Sequence, residues 1–420
     1  TVHTGLLEYK NVYRPARVIS YDKESGELVL HNYMDFDDLK DYVKISYELT
    51  QDGLVISKDI LSEFSVVPHG EGKTNLKISV PENGKCYLKL IYHLKKELPL
   101  LDEDHILGFD EIEVSKEDTK CKLAEKWIPK TVVDSELQVN ENDTQIHIKG
   151  REFAYNIDKR TALFTEMKFA GREYLNHPME LNIWRAPTDN DMYIKSEWKK
   201  AHYDKAYTRA YTTEVVQGKH GVKITSHASV VAETVQKILD VTITWKIEAA
   251  GKIDADIAVT KDDEFPDLPR FGVRMFLDKK LSAVRYFGMG PQESYCDKHQ
   301  AASHGLYQAN VDDLHEDYIR PQENGSHYDC EYVELNNSRY GIVASAEKAF
   351  SFNASYYTQE ELEKKTHNYE LTESDSVVFC VDYALNGIGS NSCGPVVLEQ
   401  YRFDDVLFRF QFTLIPYVKG

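Results

Sequence analysis

Three adjacent side chains that carry oxygen, Asp189, Asn190 and Asp191, end the segment Trp184-Arg-Ala-Pro-Thr-Asp-Asn-Asp191. Because Pro187 has no N–H to donate to a strand ladder, we expect this segment to be a loop. Carboxylate and amide oxygens grouped in this way can hydrogen-bond the hydroxyls of a sugar or bind a hard cation. The alternative is a turn in which the Asp and Asn side chains cap their own backbone, and spacing alone favours that turn.

A second segment, Gly387-Ile-Gly-Ser-Asn-Ser-Cys-Gly-Pro395, consists almost entirely of small residues. Small side chains allow the backbone to approach a ligand closely, which makes Asn391, Ser392 and Cys393 candidate ligand contacts. A tight turn between two strands explains the same composition equally well.

Two more polar segments interrupt the strand pattern. Gly288-Met-Gly-Pro-Gln-Glu-Ser-Tyr295 follows a predicted strand at 284–287, but no third glycine follows, so it does not predict a phosphate-binding loop. In Arg320-Pro-Gln-Glu-Asn-Gly325 the Asn-Gly pair predicts a turn, while Asn324 could face a cleft. A turn and a binding loop are equally compatible with both segments.

No residue can be nominated for catalysis from these patterns. Glycosidic hydrolysis needs two carboxyl groups that flank one bond, and the 69 acidic residues do not single out such a pair. The Asn140-Glu141 dipeptide lies in a polar run, where a solvated turn is the better interpretation. Neither a Ser/His/Asp arrangement nor a metalloprotease-like His spacing is present.

The formal net charge of −19 excludes several classes of partner. Nucleic acids, anionic membranes and polysulfated glycans all require a basic surface. Neutral sugars carry no charge that would be repelled, so they remain possible ligands.

The cysteine pattern and the chain start bear on localisation. The first residue is Thr1 rather than Met, without a signal peptide, which suggests a processed or excised fragment. No apolar run is long enough to span a bilayer. We expect the cysteines to be mostly buried free thiols in a reducing compartment, and therefore a cytoplasmic protein. They are scattered, without a Cys-x-x-Cys pair, at Cys86, Cys121, Cys296, Cys330, Cys380 and Cys393.

The elements that must position these loops are mostly strands, because apolar residues recur with a period of two. Residues 43–49 alternate, Asp52-Gly53 predicts a turn, and a second strand follows, which together indicate a β-hairpin. Further strands are predicted at 27–31, 76–80 and 86–92, and this spacing over about 110 residues is typical of an immunoglobulin-like β-sandwich.

The remainder of the chain is also predicted to be strand-rich. Residues 241–247 and 253–259 alternate on either side of a short turn, which indicates a large antiparallel sandwich. Thr358-Gln-Glu-Glu361 has a capping-box pattern and predicts a short helix. A second helix around 198–205 would begin after a possible Ser196 cap.

Taken together and in order, these loops resemble the C-terminal domain of the glycoside hydrolase family 2 β-galactosidases. The N-terminal segment resembles the stretch that leaves that family's catalytic barrel. The motifs that carry the resemblance are Thr1-Val-His-Thr-Gly-Leu-Leu-Glu-Tyr-Lys-Asn11, Trp-Arg-Ala-Pro-Thr-Asp-Asn-Asp191, Gly-x-Gly-Pro-Gln-Glu-x-Tyr295, Pro-x-Glu-Asn-Gly325 and Gly-Ile-Gly-Ser-Asn-Ser392.

The resemblance implies an all-β fold with two domains. An immunoglobulin-like β-sandwich at 1–115 and a connector at 116–134 would precede a large antiparallel supersandwich, galactose mutarotase-like, at 135–420. Partners would be the catalytic barrel and N-terminal domains of the same enzyme, a β-galactoside substrate and a possible second copy of the chain. Neither nucleic acid nor a membrane is expected as a partner.

The resemblance also implies that this chain has no catalytic residue. Full-length relatives hydrolyse β-galactosides with retention through two Glu residues, which precede the stretch represented here, as do the magnesium and sodium sites. The chain alone is therefore expected to be inactive and to hold no cofactor. Its predicted substrate contacts are Asp189, Asn190, Asp191, Asn324, Asn391, Ser392 and Cys393.

One departure from the family bears on the sugar site. Some members place a Trp where this chain has Ser392-Cys393-Gly394, so aromatic stacking at that position is lost. Trp184 is expected to lie in the core rather than on a sugar. Two alternatives stay open: a natural small subunit of a split β-galactosidase, and a free-standing sugar-binding or epimerase-like module.

Overall fold

The computed structural model describes residues 2–116, 119–127, 137–390 and 394–419. The chain divides into two compact units. The first unit comprises Thr1–Leu123 with Phe287–Gln292 and His299–Tyr307, and the second comprises Ala124–Tyr286, Glu293–Lys298 and Gln308–Gly420. The predicted borders at 115 and 135 stay a prediction.

The first unit is a β-sandwich of a three-stranded sheet, in the order β1-β2-β5, and a four-stranded sheet, in the order β4-β3-β6-β7. Two short helices, α1 (Thr4–Val12) and α2 (Leu39–Tyr42), accompany the sheets. The strands are β1 (Ala16–Tyr21), β2 (Glu27–Asn32), β3 (Val43–Gln51), β4 (Leu54–Ile60), β5 (Glu71–Asn75), β6 (Cys86–Leu94) and β7 (Ile106–Glu113).

The hairpin of β3 and β4 confirms the period-two prediction. Asp52 and Gly53 both have positive φ, 48° and 78°, the backbone that a two-residue hairpin turn requires. Inward residues of β3 and β6 pack against Leu28 and Leu30 of the other sheet to form the core. The strand predicted at 76–80 is wrong: β5 ends at Asn75, and Leu76 packs into the same core without a strand ladder.

The second unit contains most of the remaining strands and two helices, α3 (Ile194–Lys200) and α4 (Gln359–Lys364). The strands are β8 (Gln138–Glu141), β9 (Gln145–Lys149), β10 (Phe153–Asp158), β11 (Leu163–Phe169), β12 (Arg172–Glu173), β13 (Leu175–Asn182), β14 (Tyr207–Gly218), β15 (Gly221–Val231), β16 (Leu239–Glu248), β17 (Ile253–Lys261), β18 (Arg270–Asp278), β19 (Ala283–Gly290), β20 (Ser303–Asn310), β21 (Ser326–Asn336), β22 (Tyr340–Ser355), β23 (Ser376–Leu385) and β24 (Leu407–Val418). Residues 287–290 of β19 and 303–307 of β20 belong to the first unit.

Two antiparallel sheets form this unit. A five-stranded sheet has the order β12-β11-β10-β9-β8, and a twelve-stranded sheet follows the path β13-β18-β23-β22-β24-β17-β16-β15-β14, with β21 on β22 and β19 on β21 and β20. Trp245 of β16 is fully buried, donates its indole N–H to the carbonyl of Ala162 (2.8 Å), and packs edge-on against Phe164 of the smaller sheet. The chain is therefore all-β, as predicted.

The helix predictions have mixed outcomes. Thr358 caps α4 by accepting a hydrogen bond from the Glu361 N–H (3.1 Å), which confirms the predicted helix and its N-cap residue. The Ser196 cap is wrong, because α3 begins at Ile194 and the Ser196 hydroxyl donates to the carbonyl of Tyr193. No helix in the described part of the chain is long and apolar enough to cross a membrane.

Two segments predicted to be irregular are strands. β19 extends through Gly290, so it includes the first part of the 288–295 segment. Asn140 and Glu141 end β8, where both side chains are exposed and Glu141 pairs with Lys159 (3.3 Å). A solvated position for Glu141 was expected, but not its place in a strand.

Candidate functional site

The loop after β13 is organised around Arg185, whose side chain is 0% exposed. Its guanidinium donates two hydrogen bonds to Asp191, from Nη2 to Oδ1 (2.7 Å) and from Nε to Oδ2 (3.1 Å). It also donates to the carbonyls of Asn386 and Gly387, the latter at 3.1 Å. A buried charge is tolerated only when it is paired and hydrogen-bonded. Arg185 therefore joins the 184–191 loop to the 386–389 loop.

Both carboxylate oxygens of Asp191 accept hydrogen bonds from within the protein. Besides Arg185, its Oδ2 accepts the backbone N–H of Thr188 (2.9 Å), which closes a short 3₁₀ turn over Asp189–Asp191. The self-capping interpretation thus describes Asp191, whose side chain is buried. Within the described residues no group of three or more His, Cys, Asp or Glu side chains could hold a metal ion.

Asp189 and Asn190 face outward from the same turn. Asp189 is exposed, and its backbone N–H donates to Oε1 of Gln322 (3.1 Å). Asn190 is half-buried and donates from Nδ2 to the carbonyl of Ile388 (2.6 Å), a second link between the two loops. A cavity of about 560 Å³ adjoins this turn, with walls that include Asn190, Asp191, Tyr193, Asp267, Asn386 and Val397.

The 386–389 loop is held by Asp297. Its two carboxylate oxygens accept the backbone N–H groups of Ile388 (2.9 Å) and Gly389 (2.7 Å). A Cβ at Gly387 would lie 2.6 Å from Oδ2 of the same Asp297, so the loop can approach that carboxylate only with glycine there. The predicted contacts Asn391, Ser392 and Cys393 lie outside the described residues.

Asn324, the remaining predicted contact, is buried and bonded to backbone on both sides of its amide. Its Oδ1 accepts the N–H of Glu316 (3.0 Å), and its Nδ2 donates to the carbonyl of Gln322 (2.9 Å). This geometry holds the turn predicted from the Asn-Gly pair. The substrate contact predicted for Asn324 stays a prediction, and in this structure its amide serves the turn.

Glu293 forms a buried carboxylate centre next to this turn. It pairs with Lys298, accepts the Tyr318 hydroxyl, and takes the backbone N–H of Gly325 on Oε2 (2.9 Å). Burial alone would raise the pKa of Glu293, but the charge of Lys298 and these hydrogen bonds outweigh burial and lower it. Glu293 is therefore a stable anion that anchors the 318–325 segment.

A second buried ion cluster lies under the 322–325 turn. Arg270 donates to both carboxylate oxygens of Asp382 and pairs with Glu323 (3.2 Å), whose Oε1 also accepts the Ser326 hydroxyl (2.9 Å). Burial raises the pKa of Asp382 to about 6, and the Arg270 charge opposes that rise. The Glu323 backbone N–H donates to the carbonyl of Ala186 (2.9 Å), which connects this cluster to the first loop.

Sequence reasoning did not nominate Arg185, Asp297 or the Arg270 cluster as organisers of these loops. A pattern could have found part of the cluster, because Asp382 is the single charged residue of β23, whose other residues are mostly buried and apolar. Such a charge predicts a buried partner. Asp297 has no comparable pattern, since its partners are backbone groups about 90 residues away.

Comparison with known proteins gives the following findings. A family model described as "Beta galactosidase small chain" matches residues 149–414, and one described as "Beta-galactosidase, domain 4" matches residues 28–115. The β-galactosidase of Actinobacillus pleuropneumoniae is 43% identical over 98% of this chain, and that of Staphylococcus xylosus is 31% identical over 98%. The chain spans only 40% and 41% of those two proteins.

Among solved structures, a galactose 1-epimerase from Lactobacillus acidophilus NCFM superimposes with a TM-score of 0.37 at 8% identity, covering 69% of this chain and all (100%) of the epimerase. A TM-score this low does not establish a shared fold, so the all-β fold class rests on the strands described above.

Proposed function

Because the chain belongs to the β-galactosidase small-chain family, we propose that it is the non-catalytic C-terminal part of a retaining β-galactosidase. In this proposal the chain supports a catalytic barrel and lends loops to the rim of the galactoside site. In the same proposal, the two catalytic Glu residues and the magnesium and sodium sites would lie in the part of the full-length enzyme that this chain does not span.

The observation that carries the proposal is the joined pair of loops. Arg185 and Asp191 fix the backbone of the first loop from inside, and the same guanidinium holds the carbonyls of the second loop. Asp189 is left exposed, and the half-buried Asn190 lines a cavity of about 560 Å³. A rigid support with polar side chains at its edge suits the positioning of a substrate, because small misplacements of reacting atoms are costly in rate.

The surface next to these residues supports contact with the rest of the enzyme. Met192, Tyr193, Val396 and Leu398 are exposed near the two loops, between 44% and 61%. Large apolar side chains gathered on one exposed face often mark an interaction surface. We propose that the barrel covers this face.

Localisation and assembly are also proposals. Cys86, Cys296 and Cys380 are free thiols, which supports a reducing compartment such as the cytoplasm. Contact between copies of the chain is a further expectation, which light scattering of the complete enzyme would test.

The experiment compares the isolated chain with a chimera. The chimera replaces the aligned region of the A. pleuropneumoniae enzyme by this chain, and hydrolysis of nitrophenyl β-galactoside is measured for both. We expect no turnover by the isolated chain, because without the two Glu residues a covalent glycosyl intermediate cannot form. We expect turnover by the chimera.

Two results would contradict the proposal. Hydrolysis by the isolated chain that persists through purification would mean that the chain carries its own catalytic groups. Sugar binding and anomer interconversion by the isolated chain, together with an inactive but folded chimera, would favour the free-standing module instead.

A further inference from the structure

A second cavity in the second unit, of about 350 Å³, is separate from the rim of the two loops. It lies among the ends of β10 and β11, the strand β13 and the start of β14. Its walls contain both polar and apolar side chains, among them Thr165, Leu181, Asn182, Trp184, Tyr207 and Arg274.

Two buried donors in this wall have no partner in the protein. The Nδ2 of Asn182 and the Nε1 of Trp184 make no hydrogen bond, although the residues are only 4% and 3% exposed. The rest of the Asn182 amide is fixed, because its Oδ1 accepts the backbone N–H of Trp184 (3.1 Å). Buried N–H groups without partners are rare in folded proteins, since each costs free energy. Both residues line the cavity, so a molecule held there is placed to supply a partner for these donors.

Trp184 differs in this respect from the other tryptophans. The indole N–H groups of Trp127, Trp198 and Trp245 donate to the Tyr332 hydroxyl (3.2 Å), the Asp267 carbonyl (2.8 Å) and the Ala162 carbonyl (2.8 Å). The Trp184 ring itself is packed, with Trp198 edge-on and the Lys199 ammonium 5.0 Å from its centroid. The indole N–H of Trp184 thus has no hydrogen-bond partner, although the ring around it is packed.

The charges around the cavity disfavour an anionic ligand. Among the described residues that line it, Arg274 is the one cation, and it is shared by Glu180 (2.6 Å) and Glu360 (2.9 Å). The two other carboxylates, Asp158 and Asp204, pair with Arg160 and Lys199, respectively, and Lys199 also pairs with Glu363. Carboxylates thus outnumber cations around the cavity, which repels anions, and the groups without partners are N–H donors, which a cation cannot use. Unmatched N–H donors next to threonine hydroxyls and apolar side chains suit a neutral molecule with several oxygens.

We propose that this cavity binds a neutral polyhydroxylated ligand of monosaccharide size, with Asn182 and Trp184 donating to its oxygens. This site is distinct from the loop rim and does not depend on the function proposed above. A ligand here would stabilise the second unit and couple its stability to the concentration of sugar.

The test is a titration of the full chain labelled with ¹⁵N in its tryptophans. The four tryptophans give four indole N–H resonances, one of which comes from Trp184 and is assigned with Trp184→Phe. On addition of galactose or glucose we expect the Trp184 resonance to shift saturably while the other three stay in place. Phosphate and ammonium ions should leave all four unchanged.

Two variants then measure affinity by calorimetry. Trp184→Phe removes the unpartnered N–H and should weaken sugar binding about fivefold, or about 1 kcal/mol. Asn182→Asp keeps the acceptor for the Trp184 backbone and removes the free donors, so it should weaken binding at least as much. Trp127→Phe is the matched control, because it removes an indole that is partnered by the Tyr332 hydroxyl and lies outside the cavity wall, so it should leave affinity unchanged.

A Trp184 resonance that no hexose moves, up to the solubility limit, would overturn the proposal and leave a cavity filled by water. A shift produced by the ions instead of the sugars would overturn the ligand class. Unchanged affinity in Asn182→Asp, with the other three indole resonances showing an intact fold, would overturn the binding geometry. Galactoside hydrolysis is not read in this test, so its outcome is independent of the proposed function.

Discussion

Replacing Arg185 by methionine should destabilise the second unit more than any change to a surface ion pair. The substitution removes four hydrogen bonds, of which two reach Asp191 and two reach the carbonyls of the 386–389 loop. It keeps most of the side-chain volume, so the cavity left behind is small. What remains is the buried Asp191 carboxylate, which keeps the Thr188 N–H as a donor.

The magnitude follows from burial. The side chains of Arg185 and Asp191 are 0% and 4% exposed, and removing one partner of such a pair costs about 3–5 kcal/mol. The free energy of unfolding of a domain is only about 5–15 kcal/mol, so Arg185→Met should remove a large part of the stability of the second unit. Arg185→Lys, which keeps the charge and loses the two-pronged geometry, should cost less and stay folded.

The assay is urea unfolding followed by tryptophan fluorescence. All four tryptophans lie between residues 124 and 286, so fluorescence follows the second unit alone. Arg409→Met is the matched control, because Arg409 makes a similar two-pronged pair with Asp256 but is 62% exposed. It should cost less than about 1 kcal/mol. Equal losses for the two methionine variants, or a loss below about 1 kcal/mol for Arg185→Met, would refute the structural role given to Arg185.

Two further predictions concern the pH dependence and the domain border. The pKa of Glu293 is lowered in the folded state, so its ionised carboxylate stabilises the fold at pH values above the ordinary glutamate pKa. This stabilisation is lost as the pH falls through the folded-state pKa. The free energy of unfolding in urea should therefore differ most between Glu293→Gln and the parent at neutral pH, and the two values should converge in acid. A difference that is constant with pH would mean that the charge of Glu293 is irrelevant. Limited proteolysis followed by mass spectrometry should cut first between Ser115 and Thr144, because a polar connector has few buried contacts. A first cut within 241–259 would contradict the domain assignment.

The strands were predictable where a period-two pattern ended in a recognisable turn. β16 and β17 follow the alternation residue by residue, with Ile243 opposite Ile257 and Trp245 opposite Ala255. The 76–80 segment shows the same alternation but lies outside the strands, because buried apolar residues can pack without a ladder. The strand that pairs with β2 is β5 (Glu71–Asn75), which lies just before this segment. Its pairing is made by backbone groups, and the pattern of side chains does not reveal it.

The site was predictable as a set of loops and not as a set of contacts. The sequence presents Asp189, Asn190 and Asp191 as equivalent neighbours, yet Asp191 turns inward to Arg185 while Asp189 stays exposed. What separates them is the guanidinium, whose other partners come from residues about 200 positions away. Spacing along the chain cannot report such partners. The family resemblance supplied the order of the loops, and the geometry separated structural from available side chains.

The most direct test of the proposed role is the kcat/KM of the chimera for nitrophenyl β-galactoside with Asp189→Ala and Asn190→Ala. If these side chains complete the rim of the galactoside site, each variant should lower kcat/KM by about tenfold or more. Asn75→Ala is the matched control, since Asn75 likewise donates one side-chain hydrogen bond to a backbone carbonyl (3.0 Å), in the first unit; it should leave kcat/KM unchanged. Unchanged kcat/KM in both loop variants, beside an active parent chimera, would contradict the account.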